Sequence, residues 1–64
     1  MIEITKLNEQ PIIINCDLIE FIEATPDTTI TMTTGRKFIA LESVDEIINL
    51  IITYKKNFSE RFQV

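Results

Sequence analysis

The sequence predicts an α+β fold: a small bent antiparallel β-sheet of about five strands, with an SH3-like arrangement as the candidate, followed by one C-terminal helix. Three observations predict it. Apolar residues alternate with period two over the first forty residues, as half-buried strands require. The period changes to that of a helix after Leu41. Turn residues are sparse, with one Gly and two Pro, so each one marks a boundary.

The elements follow in order. Ile2 and Ile4 alternate with Glu3 and Thr5, which reads as a first strand, and Asn8-Glu9-Gln10-Pro11 separates it from the next apolar stretch. Pro11-Ile12-Ile13-Ile14-Asn15 is a short continuous apolar run, which suits a strand buried on both faces. Residues 17–24 admit two readings: a short helix capped by Asp17, or a strand, bulged, with Ile19 and Phe21 inward. The strand is preferred, because Thr25-Pro26-Asp27-Thr28 after it has the residues of a type I turn, with Pro26 presetting φ, and leads on as a hairpin. In Thr29-Ile30-Thr31-Met32-Thr33 the isoleucine and methionine share one face and the threonines the other, expected exposed; β-branched residues on both faces favour strand. Thr34-Gly35 marks a hairpin tip, where Gly35 supplies a positive φ at little steric cost. Phe38 and Ala40 alternate with Lys37, Ile39 and Leu41 across that hairpin.

Ser43-Val44-Asp45-Glu46 matches a capping box, in which the Ser43 hydroxyl and the Glu46 side chain satisfy each other's main-chain N–H groups. The helix is expected from Val44 to about Asn57, with Lys55 and Lys56 near its end to complement the dipole. Residues 1–58 then form a single domain and residues 59–64 a frayed tail. Val44, Ile47, Ile48, Leu50, Ile51, Ile52, Tyr54 and Phe58 cover an arc of roughly 200° on the helix, where one sheet needs little more than about 100°. One edge of the helix is therefore expected to meet another chain. Ile48, Ile51 and Ile52 are the candidate interface of a homo-oligomer, a dimer or trimer, because 64 residues give a small core.

Composition narrows the function. The net charge of −4 argues against nucleic acid and against anionic lipid, both of which want clustered lysine and arginine. No apolar run is long enough to insert in a membrane, and the first residues lack the pattern of a signal peptide. A lone cysteine, Cys16, excludes an internal disulfide and suits a reducing compartment, so a cytoplasmic location is expected. With no histidine and no second thiol, no metal site, cofactor or nucleophilic machinery is expected, and the chain reads as no enzyme. One glycine cannot build a phosphate loop. Asp17, Glu20, Glu23 and Asp27 lack the spacing of a calcium loop and of a catalytic pair. They gather instead as a candidate partner-binding surface whose negative field would steer a basic segment.

The string also carries a resemblance. Met1-Ile2-Glu3-Ile4-Thr5-Lys6-Leu7-Asn8 is followed by Ile14-Asn15, Asp17-Leu18-Ile19-Glu20, Ile22-Glu23-Ala24-Thr25-Pro26-Asp27-Thr28, Thr34-Gly35 and Glu42-Ser43-Val44. Thr-x-Leu-Asn joined to Ile-Glu-x-Thr-Pro-Asp-Thr at this spacing closely resembles the small flagellar FlbD family, whose members are also called SwrD swarming motility proteins. The resemblance covers residues 1 to about 54. Glu9 departs from it, standing where the family pattern has a glycine. The resemblance implies an accessory factor of flagellar motility, linked to motor power through a motor or stator protein and placed peripherally at the motor. It brings no activity and no cofactor. The alternative is a regulatory adaptor that controls flagellar gene expression or assembly by binding a protein.

Overall fold

In the computed structural model, which describes the backbone of residues 1–62 and the side chains of residues 1–57, five strands precede one helix. β1 (Ile2–Thr5) and β2 (Pro11–Ile14) form one antiparallel hairpin. β3 (Ile19–Glu23), β4 (Thr28–Met32) and β5 (Lys37–Ala40) form an antiparallel sheet in the order β3-β4-β5. The two sheets join at one point, where Lys6 bridges Ala40 and the Leu41 N–H donates to the Thr5 carbonyl at 2.8 Å. From there α1 (Val44–Phe62) runs back over β1.

Two turns share one geometry. The Glu9 N–H donates to the Lys6 carbonyl, and the Lys6 N–H to the Gln10 carbonyl. The Gly35 N–H donates to the Met32 carbonyl, and the Met32 N–H to the Arg36 carbonyl. Each is a three-residue hairpin loop whose last residue is left-handed, Glu9 at φ 67° and Gly35 at φ 91°. The Asn8 carboxamide supports the first turn by accepting from the Gln10 N–H at 3.1 Å.

The core is closed by Ile4 of β1, Ile30 of β4 and Ile47 of α1, all fully enclosed, with Ile2, Ile14 and Met32 around them. The capping box is formed: the Glu46 N–H donates to the Ser43 hydroxyl at 3.1 Å, and the Ser43 N–H to the Glu46 carboxylate at 3.0 Å.

Several local expectations are corrected. Residues 17–24 use part of both readings: Cys16–Leu18 is a single 3-10 turn, capped by Asn15 and not Asp17, and β3 starts only at Ile19. A bulge at Glu20 shifts the register, so Ile19 and Ile22 pair with the inward residues Met32 and Ile30 while Phe21 pairs with Thr31 and faces out. Thr25–Asp27 is a bend with a cis Thr25–Pro26 peptide instead of the expected type I turn. β2 is not buried on both faces, since Ile13 is 65% exposed. Thr31 is buried, because Phe21 and Lys37 flank it on the outer face of β4. α1 continues through Phe62, five residues past the expected end, so positions 59–62 of the expected tail are helical. The rest of that tail, Gln63 and Val64, and the side chain of Phe58 lie outside the described residues.

Candidate functional site

The helix divides its wide apolar arc. Val44, Ile47, Ile51 and Tyr54 turn toward the sheets, Ile47 fully enclosed and the others partly so. Ile48 and Ile52, one turn apart, remain 42% and 57% exposed. Ile51 thus packs on its own core and does not share the free edge with Ile48 and Ile52. Leu50 lies at the opposite edge, in an open groove of about 620 Å³ that it lines with Met1, Glu3 and Tyr54. Leu7, Phe21, Ile39 and Leu41 are further exposed apolar side chains.

The acidic residues do not form one cluster. Asp17 lies in the 3-10 turn and binds the Lys55 ammonium of α1 at 2.6 Å, both side chains well exposed. The hydrogen bond from Lys55, and then its charge, hold the Asp17 carboxyl below its ordinary value and raise the Lys55 ammonium. Glu20 sits on the bulge, Glu23 ends β3, and Asp27 lies in the following loop. Glu20 and Glu23 therefore lie on β3, an edge strand roughly 16 Å long for five residues, and Asp27 lies beyond its end. Asp17 is partly neutralised at the helix.

A second carboxylate went unnoticed in the sequence. Glu42 accepts the Thr5 N–H and the Thr5 hydroxyl, each at 2.8 Å, clamping the end of β1 to the segment that leads into α1. Burial pushes its carboxyl up, but the bonds from Thr5 and from its own amide outweigh that and hold it below the ordinary value of 4.5. The spacing of 37 residues gives no local signal.

Cys16 is buried beneath the N-terminus, whose ammonium donates toward its Sγ at 3.9 Å. Among the described residues no group of three acidic, cysteine or histidine side chains converges in a metal-binding arrangement. Among them, too, no helix is long and apolar enough to cross a membrane.

The result is a small α+β domain with exposed isoleucines on one edge of its helix and acidic residues on one edge strand. Comparison places it more closely: the family model for FlbD, flagellar and swarming motility proteins, matches residues 1–58, and the chain belongs to that family. Neither the curated proteins nor the solved structures yield a match.

Proposed function

We propose that this chain is a non-enzymatic accessory subunit of the flagellar motor, one that supports motor power by binding a stator protein at the cytoplasmic side. The family gives motility as its setting. The observation that carries the binding role is the free helix edge. Ile48 and Ile52 have no polar tip to reach water, and burying such a side chain contributes about 1.5–3 kcal/mol. That supports reading the edge as a contact for another protein chain. Glu20, Glu23 and Asp27 supply the charge that draws a basic segment of the partner, with an association rate that falls as salt rises.

The test is affinity capture from motile cells, with and without the stator membrane proteins, using the wild-type chain and Ile52→Lys. Recovery of a stator or switch component by the wild type, lost with Ile52→Lys, is the expected result. Recovery of a sigma or export factor in its place would support the regulatory-adaptor reading and overturn this one.

A further inference from the structure

One strand edge of the β1–β2 hairpin is unpaired, and four hydrogen bonds fix which of its groups point outward. The Lys6 N–H donates to the Gln10 carbonyl. Thr5, the next residue, turns both main-chain groups away from β2: its N–H goes to Glu42 and its carbonyl accepts from Leu41. Ladder bonds alternate in an antiparallel pair. With the register Thr5↔Pro11, Ile4↔Ile12, Glu3↔Ile13 and Ile2↔Ile14, the bonded pairs are Ile4–Ile12 and Ile2–Ile14, and Pro11 and Ile13 face away from β1. Pro11 agrees with this phase, since it has no N–H to lose from the ladder. The chain stays extended through Asn15, whose carbonyl accepts the Leu18 N–H at 3.0 Å. The outward groups left over are the N–H of Ile13 and Asn15 and the carbonyls of Pro11 and Ile13. None of these four has a hydrogen-bond partner among the described residues.

We infer that this edge pairs with the same edge of a second copy, antiparallel, about a two-fold axis at Ile13. The pattern is self-complementary. Ile13 exchanges N–H and carbonyl with its equivalent, and on each side the Asn15 N–H meets the Pro11 carbonyl. The two groups that would spoil the match are missing, because Pro11 has no N–H and the Asn15 carbonyl is already bonded. A two-fold axis requires this property of one patch used twice.

The side chains agree. Ile13, the most exposed large apolar residue described, meets its equivalent on the outer face. On the inner face Ile12 and Ile14 align with Ile14 and Ile12 of the second copy, beside a groove of about 280 Å³ lined by Leu18, Met32 and Phe38. Pro11–Asn15 carries no charge, so two chains of net charge −4 approach here with little local repulsion. β3, an open edge of the other sheet, is guarded by Glu20, Glu23 and a bulge, the usual protections against edge pairing. Self-association thereby moves from the helix edge expected in the sequence to β2. The helix edge stays free for the partner, and the inference does not rest on that partner's identity.

Sedimentation equilibrium of the full chain tests it, at up to about 500 µM because a five-residue edge makes a small interface. The expected mass at the upper end is twice 7.4 kDa. Ile13→Pro should weaken the dimer by at least about tenfold, since it removes an N–H that β1 does not use. Ile52→Lys should leave the dimer intact. In the wild type, the Ile13 and Asn15 amides should exchange slowly in heavy water at high concentration and quickly on dilution. A monomer throughout would overturn the inference and leave the edge to a strand of a different protein. Fast exchange at Ile13 within an oligomer, or an oligomer broken by Ile52→Lys and not by Ile13→Pro, would overturn it as well.

Discussion

Glu9 and Gly35 hold the same position of the same turn, and only one of them is suited to it. A side chain in the left-handed region costs about 1 kcal/mol or more, and glycine escapes that cost at the expense of a more flexible unfolded chain. Glu9→Gly should therefore raise the melting midpoint, by about 0.5 kcal/mol in stability. Gly35→Val should lower it by more than about 1 kcal/mol. No atom lies within 4 Å of a Cβ built on Gly35, so the loss would come from the backbone alone. Gly35 was legible in the sequence because it is the only glycine and lies between two alternating runs. Nothing in a glutamate announces a positive φ. Thr31 was misread for a different reason. Alternation gives the face of a strand but not what neighbouring strands lay over it, and Phe21 reached that face only through the bulge at Glu20. The Thr31 hydroxyl is buried and has no partner among the described residues. Thr31→Val should stabilise the fold by about 1 kcal/mol, read as a shift of the urea midpoint with unchanged slope.

Between elements, sequence distance decided what could be foreseen. The capping box of α1 spans three residues and was readable, as was the change of period that starts the helix. The 3-10 turn and the bulge of β3 were half readable, since Leu18, Ile19, Phe21 and Ile22 fit a helix or a strand until the register with β4 selects two of them. The run Ile12–Ile14 could not reveal that β2 has a neighbour on one side only. The Thr5–Glu42 clamp links β1 to the start of α1 across 37 residues and left no trace. Its pH dependence follows from the direction of the Glu42 shift. A carboxyl depressed in the folded state adds stability above its unfolded value and loses it as pH falls through the folded one. Glu42→Gln, which has one acceptor oxygen for two donors, should be less stable than the wild type by about 1–2 kcal/mol near neutral pH. That difference should shrink steadily below the ordinary value of 4.5. Urea midpoints of both proteins across pH 3 to 7 (about the range where carboxylates titrate) check this, and a constant difference would remove the clamp from the account.

At the scale of the whole molecule, the helix is longer than the sheet it covers. Nineteen residues span roughly 28 Å, against about 13 Å for the four residues of β1, and the longest dimension of the molecule is 42 Å. A 64-residue chain with this shape cannot enclose all of its isoleucines. The 200° arc foretold that some of the helix would stay bare, but not how the arc would be shared, which depended on Ile51 turning to the core. The acidic residues were read as one patch because they are close in sequence. The strand separates them, and Lys55 claims Asp17. Among the bare apolar side chains that remain are Ile13 on β2 and Ile48 with Ile52 on α1. The central claim is that the helix edge is where the protein acts. The most direct measurement is the swarming rate and swimming speed of cells whose only copy is Ile48→Ser/Ile52→Lys. Its level and its amide spectrum are to be matched to the wild type. The account predicts a folded, normally abundant protein with motility lost or strongly reduced. Full motility from that protein would contradict it.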